Sequence, residues 1–233
     1  MKAVIFAAGK GTRLGALTEN VPKPMIPIGG VPLLARIINA LPDVIDEIII
    51  VIGYRGEVIR NYFGNEYEGR KMVYVDGSDL TGTAGALFKT KDLLGDEKFL
   101  VLNGDDLFSK EDFLKLIALP RAWGVFEGVP NHNAYFHIEV DLDGMVHGFR
   151  RPTSEELAHG MRISTGAFVL DPSIFEQALV PLKENEFSLP HTVLEHAAAM
   201  PIMAVPMQSW RTITYPEDVR RLEEYLASSA RSR

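Results

Sequence analysis

Two hydrophobic patterns divide the chain. In roughly the first 120 residues, short unbroken apolar runs alternate with stretches of helical apolar spacing. Ala3–Ala8 and Glu47–Ile52 (EIIIVI) lack the every-other-residue polarity of a half-buried strand. Continuous runs of this kind mark strands covered on both faces. Lys71–Val75 and Lys98–Asn103 extend the series, and the last runs into Gly104-Asp105-Asp106. Between these strands, Leu33–Leu41 carries helical spacing and is stopped by Pro42, and Arg55–Phe63 reads as a helix ended by Gly64. Thr83–Leu94 is expected to be a helix that opens in a glycine-rich turn, and Lys110–Leu119 is expected to be helical. Strands alternating with helices at this spacing predict βαβ units and a mostly parallel sheet.

The second half changes character. Trp123–Val129, Tyr135–Val140 and Met145–Phe149 read as strands, with Asp141-Leu142-Asp143-Gly144 as a hairpin turn. Arg162–Leu170 is a further strand; Ser173–Leu179 and Pro190–Met200 are expected helices, followed by a short strand at Ile202–Val205. Pro216–Leu226 is a closing amphipathic helix with proline in its first turn, and the tail Ala227–Arg233 is expected to fray. No linker, low-complexity stretch or repeat interrupts the sequence. The expectation is one α/β domain over 1–233, with halves at 1–120 and 121–226.

Composition narrows the function classes. Hydrophobic residues make up 46% and charged residues 24% of the 233, which is globular composition. The chain has no cysteine, so a disulfide framework, a thiolate zinc site and a cysteine nucleophile are excluded; this fits a reducing compartment, the cytoplasm. The net charge of −7, with no long basic run, argues against a nucleic-acid partner. An anionic substrate would have to be held by local backbone amides and a few placed cations. No apolar stretch reaches the ~18 residues of a membrane span. The apolar start is too short for a signal peptide and flows straight into Lys10-Gly11-Thr12-Arg13.

Four segments carry candidate chemistry. Gly9-Lys10-Gly11-Thr12-Arg13-Leu14 follows the first strand directly. Glycines there let the backbone approach a ligand, and successive amides form an anion-binding nest. The dinucleotide fingerprint would need glycine at Leu14, and the Walker pattern is absent, so the loop is a phosphate site of neither common type or a plain tight turn. Pro22-Lys23-Pro24-Met25 stiffens the backbone around one lysine, and Arg13 with Lys23 at one mouth of the sheet would hold a triphosphate. Gly82-Thr83-Ala84-Gly85 opens a helix with small residues. That permits close approach of a flat ring or phosphate, or simply close helix–sheet packing. Asn103-Gly104-Asp105-Asp106 ends a strand where open α/β sheets bind ligands, so a carboxylate there is a natural Mg²⁺ ligand or else a turn former. The six histidines show no HExxH spacing, and no GxSxG elbow is present.

The stretch AVIFAAGKGTRLGALTENVPKPMIPIGGVPLL (Ala3–Leu34) strongly resembles the opening signature of the sugar-1-phosphate nucleotidyltransferases. VIGYRGEVIRNYFG, GTAGAL and VLNGDDLF follow in that family's order, and ISTGAFVLDPSIF is similar to its later strand–helix segment. The resemblance implies a Rossmann-like, glycosyltransferase-A-like fold: a mixed, mostly parallel sheet flanked by helices. It makes 1–120 the nucleotide-binding half and 121–226 the sugar-phosphate half. It implies Mg²⁺-dependent transfer of a nucleotidyl group from an NTP to a sugar 1-phosphate, releasing pyrophosphate. By the same resemblance Ala8, Gly9, Gly11, Thr12, Asp79, Gly82, Thr83 and Gly85 meet the nucleotide. Arg13 stabilises the leaving pyrophosphate, Lys23 holds the α-phosphate or the incoming phosphate, and Asp105 binds Mg²⁺. Asn103, Arg151, Thr165 and Gly166 meet the acceptor. The methyl group of Ala8, where such proteins often have glycine, leans toward UTP or CTP.

Two departures stand out. Thr212 occupies the place of a second metal-binding acid in Trp210-Arg211-Thr212-Ile213, and Arg150-Arg151-Pro152 replaces a Glu-Lys-Pro that meets the sugar phosphate. The alternatives are a phosphocholine cytidylyltransferase with rings from Tyr135, Phe136 and Phe149, and a non-catalytic nucleotide- or sugar-binding regulator motivated by Thr212. No hexapeptide repeat follows residue 226, so an appended acyltransferase β-helix is not expected. A homodimer is left open.

Overall fold

The N-terminal apolar run becomes the centre of the sheet. The structure, a computed structural model, describes residues 1–79, 82–130 and 135–231. In chain order the elements of the first half are β1 (Lys2–Ala7), β2 (Pro27–Ile28), β3 (Val31–Pro32), α1 (Leu33–Ala40), β4 (Glu47–Ile52), α2 (Gly56–Phe63), β5 (Glu66–Tyr67), β6 (Arg70–Asp76), α3 (Gly82–Phe88), α4 (Lys91–Leu94), β7 (Phe99–Asn103), β8 (Asp106–Leu107) and α5 (Lys110–Ile117). The second half holds β9 (Ala122–Gly128), β10 (His137–Val140), β11 (Val146–Arg150), α6 (Ser154–His159), β12 (Met161–Leu170), β13 (Pro181–Lys183), β14 (Glu186–Phe187), α7 (Leu189–Glu195), β15 (Met203–Pro206), β16 (Arg211–Thr212) and α8 (Pro216–Arg231).

One ten-stranded sheet joins the two halves, in the order β11-β10-β12-β7-β1-β4-β6-β5, with β9 paired to β12 and β15 to β9. The inner strands β7, β1, β4 and β6 are parallel. Their registers pair Ala7 with Ile52, Ile52 with Asp76 and Phe6 with Asn103, so their carboxyl ends finish on one rim. Both faces are covered, which explains the missing alternation. Ala3, Ile5 and Ala7 face α1, α2 and α5 through Leu34, Ile38, Phe63 and Phe113, whereas Val4 packs with Ala84, Leu87 and Val193 of α3 and α7 on the other side.

β12 runs antiparallel and joins the halves. Its first part pairs with β9 and β10, and its last four residues pair with β7. The register shifts between Ser164 and Phe168, and Gly166 at the kink has φ 69°.

Several expectations need correction. The helix expected over Thr83–Leu94 is broken between α3 and α4, because the buried Thr90 hydroxyl donates to Leu87 O at 2.7 Å and competes with the helical ladder. Ser173–Leu179 is only a 3-10 turn, Pro172–Glu176, capped by Asp171 and ended by extended Gln177. The closing helix runs past Leu226 to Arg231, so most of the expected frayed tail is helical. α6 was not expected, although Thr153 and Glu156 form a capping box at its start. Among the described residues, no helix is long and apolar enough to cross a membrane.

Candidate active site

A cleft of about 610 Å³ opens along the rim where β1 and β7 end and β12 kinks at its middle. Its wall includes Ala8, Gly9, Arg13, Gly82, Thr83, Asn103, Asp105, Thr165 and Gly166. Chain segments far apart in sequence thus meet at one place.

The glycine loop is built as a sharp departure from β1. Gly11 has φ 68° and Leu14 N–H donates to its carbonyl at 3.0 Å, while Thr18 Oγ1 donates to the same carbonyl at 3.2 Å. A Cβ on Gly11 would lie 2.9 Å from Lys23 Cβ, so the loop and Lys23 pack directly together. This brings Gly9 and the exposed Arg13 to the cleft. Thr12 faces a separate cavity with Lys10 and Tyr54 instead. Lys23 sits in a 3-10 turn after Pro22, and its ammonium forms an ion pair with Asp105, which lines the cleft.

Asp105 has a neighbour of different character. Asp106 is 3% exposed. Its Oδ1 accepts from Trp210 Nε1 at 2.9 Å, its Oδ2 accepts from Asn103 Nδ2 at 3.0 Å, and Thr212 hydrogen-bonds to it as well. Burial, then the Asp105 charge, pushes its carboxyl up to about 7. Burial, with Asp106 and Asp105 nearby, also keeps the Tyr135 hydroxyl protonated well above the usual range.

Thr212 stands directly opposite Asp106 in the β8–β16 pair. The segment carrying it is pinned by two buried acids. Asp112 accepts from the backbone N–H groups of Gln208 and Ser209 at 3.1 and 2.8 Å, and Asp218 accepts from those of Thr214 and Tyr215 at 2.9 and 2.8 Å. These bonds set Trp210, Thr212 and Thr214 into the cleft wall.

On the β12 side, the kink at Gly166 lets its backbone lie against the acids. An added Cβ would overlap the Asn103 amide and come within 2.9 Å of Asp106 Oδ2, so no larger residue fits. Thr165 is buried and donates to Gly124 O at 2.7 Å. Thr83 Oγ1 accepts from Leu189 N–H at 2.9 Å, and Gly85 is buried within α3.

Like Thr12, Asp79 and Arg151 lie away from this wall, and Gly11, Lys23 and Gly85 stand behind it. Asp79 is exposed and paired with Lys89, whose ammonium holds its carboxyl below the usual carboxylate range. The Arg151 guanidinium lies over the Phe136 ring at 4.4 Å. Its neighbour Arg150 is tied to Glu139 and Glu156 at 3.0 and 2.7 Å, and holds Glu156 down to about 2. Asp106, Trp210 and Asp112 were not singled out from the sequence. The doubled acid in Gly104-Asp105-Asp106 was the visible signal for the first.

The fold and site define an α/β protein with a cleft at the carboxyl rim of a parallel sheet, where open sheets of this kind bind ligands. The chain belongs to the nucleotidyl transferase family, whose model matches residues 2–225, and the expected likeness to sugar-1-phosphate nucleotidyltransferases holds. It is 33% identical over 228 residues to the bifunctional protein GlmU of Methanococcus maripaludis, covering 94% of this chain and 53% of that one. The chain thus spans about half the length of the GlmU proteins it matches. It is 31% identical to the UTP–glucose-1-phosphate uridylyltransferase AglF of Haloferax volcanii, over 97% of this chain and 96% of the relative. Among solved structures, UDP-glucose pyrophosphorylase complexed with UDP-glucose superposes with a TM-score of 0.81 at 22% identity, covering 98% of each chain, which supports the fold.

Proposed function

We propose that the chain transfers a nucleotidyl group from an NTP to a sugar 1-phosphate, giving a nucleotide-diphosphate sugar and pyrophosphate. A sugar phosphate oxygen attacks the α-phosphorus, the bond from that phosphorus to the bridging oxygen of the β-phosphate breaks, and the electron pair leaves with pyrophosphate. A phosphate monoester has its second pKa near about 6, so the nucleophile is already a dianion at neutral pH and needs no general base. The work left to the protein is positioning and charge neutralisation.

The observation that carries this reading is the meeting of the Gly9–Arg13 loop with the Lys23–Asp105 pair at one cleft. In the proposal the Gly9 and Gly11 amides face the phosphates, and Arg13 receives the charge that develops on pyrophosphate. Lys23 exchanges its bond to Asp105 for the α-phosphate or the attacking phosphate. Gly82–Gly85 face the base, with Asp79 nearby, and Asn103, Thr165 and Gly166 bound the acceptor, with Arg151 at its far end.

The donor set fits Mg²⁺: Asp105 offers a hard oxygen ligand beside the phosphates, its pairing with the Lys23 ammonium supports an affinity for cations, and Asp106, held by Trp210, Asn103 and Thr212, backs it from behind. Among the described residues no group of three or more acidic or histidine side chains forms a complete cage, so substrate phosphates would supply the remaining ligands. When bound, such an ion shields the triphosphate charge. The lean to UTP or CTP rests on Ala8 and agrees with the names of AglF and of a probable glucose-1-phosphate cytidylyltransferase of Bacillus subtilis, 32% identical. The proposal places the reaction in the cytoplasm, with neither nucleic acid nor membrane as a partner, and leaves a homodimer open.

The test is pyrophosphate release by wild type, Arg13→Ala and Asp105→Asn, with nucleotide binding followed separately by calorimetry. Wild-type release lost in Asp105→Asn while nucleotide binding persists supports the reading. Unchanged release in Asp105→Asn removes the metal assignment. Nucleotide binding without release in wild type favours the regulator.

A further inference from the structure

A second, smaller cavity of about 170 Å³ opens from the acceptor side of the cleft. The two share Tyr135, Ser164, Ser188 and Pro190 in their walls, so they adjoin. Ser164 lies two residues before Gly166, whose backbone rests on Asn103 and Asp106; the small cavity therefore lies close to the acids, and its wall includes neither Ala8 nor Gly9.

Rings build this cavity. Phe136 and Phe149 meet edge to face at 5.3 Å, Phe149 and His191 at 4.6 Å, and Trp123 is fully buried behind them. The wall's hydroxyls are already engaged with those rings. Ser164 Oγ accepts from Trp123 Nε1 at 2.9 Å, and Ser188 Oγ lies 2.7 Å from His191 Nδ1. Burial lowers the basicity of His191, which leaves it neutral at neutral pH. No carboxylate is among the described wall residues.

We infer that this cavity is a subsite for an apolar substituent of the acceptor: the substrate is a sugar 1-phosphate whose ring bears a deoxy methyl or an acyl group, not a plain hexose phosphate. The inference rests on the transferase reading. The size fits, since an apolar cavity of about 150 Å³ takes up a benzene molecule. A fully hydroxylated sugar edge would find few open hydrogen-bond partners among the rings, and unpaired polar groups are rejected strongly. A quaternary ammonium fits worse, because the wall holds no anion and the Arg151 cation already lies over Phe136. Arg150 does not alter this, being held by Glu139 and Glu156.

The test compares kcat/KM for glucose 1-phosphate, 6-deoxyglucose 1-phosphate, N-acetylglucosamine 1-phosphate and phosphocholine, with UTP, or CTP if UTP is refused. One substituted sugar phosphate should exceed glucose 1-phosphate by about tenfold or more, the range that one methyl or methylene contributes in an apolar pocket. Ile138→Phe, which fills the cavity, and Phe149→Ala, which removes a wall, should each lower that ratio about tenfold through KM for the substituted acceptor. The nucleotide KM reports whether each variant retains its fold, and either variant alone suffices. Equal or better use of glucose 1-phosphate, a ratio unmoved by the variants, or phosphocholine as the best acceptor overturns the inference. Silence with every acceptor and both nucleotides instead refutes the transferase reading on which it stands.

Discussion

Asp106→Asn should reverse sign with pH. In the folded protein Asp106 keeps its proton up to about 7, against 3.8 for the free side chain. Below both values folded and unfolded chains are equally protonated. Between them the folded state binds the extra proton, so stability falls as pH rises and the loss is complete above about 7. At about 1.36 kcal/mol per pH unit, that interval amounts to about 4 kcal/mol at most. Asparagine has no such titration. It has one oxygen for two donors, however, so either Trp210 Nε1 or Asn103 Nδ2 loses its acceptor. That costs about 1–3 kcal/mol at every pH. The variant should therefore be less stable than wild type near about pH 4 and more stable near about pH 8.5, a crossing that neither term alone produces. Urea unfolding in EDTA across this range measures it, and the histidines common to both proteins cancel in the difference. A stability difference that stays flat with pH would refute the buried-acid argument.

Three other substitutions probe the cleft. Lys23→Met removes the partner of Asp105 and should lower kcat about 10²–10³-fold, as loss of one placed electrostatic donor does, read by steady-state pyrophosphate release. Gly166→Ala forces a side chain into φ 69° and onto Asn103, and should cost roughly 2–5 kcal/mol in denaturant unfolding. Thr212→Asp faces a second carboxylate toward Asp106; it should destabilise the metal-free protein and enlarge the thermal stabilisation that MgCl₂ produces, as differential scanning calorimetry would show.

Much of the parallel core was legible because its cause is local. β1 and β4 are apolar at nearly every position since helices cover both of their faces, and β4 has the bounds expected from EIIIVI. The cleft wall was legible where glycine, arginine and aspartate sit in short motifs just after strands, as Gly9, Arg13 and Asp105 do. What escaped reading depends on partners far along the chain. Asp106 differs from Asp105 only because Trp210, 104 positions away, closes over it. The requirement for glycine at 166 comes from Asn103 on another strand. The break after α3 comes from one threonine hydroxyl, and the turn at 172–176 from one aspartate cap. The Arg150-Arg151 pair stands in for a Glu-Lys pair in the sequence, yet in the fold one arginine is spent on α6 and the other on a ring.

The account stands or falls on whether a phosphoanhydride bond to a sugar phosphate forms here. The direct measurement is ³¹P NMR of the wild-type protein with Mg²⁺, each NTP and a set of sugar 1-phosphates. The predicted result is a pair of new nucleotide-sugar diphosphate resonances growing in step with pyrophosphate, one mole for each mole of sugar 1-phosphate consumed. Consumption of the NTP to nucleoside monophosphate and pyrophosphate with the sugar 1-phosphate untouched would contradict it, as would unchanged spectra across the whole set.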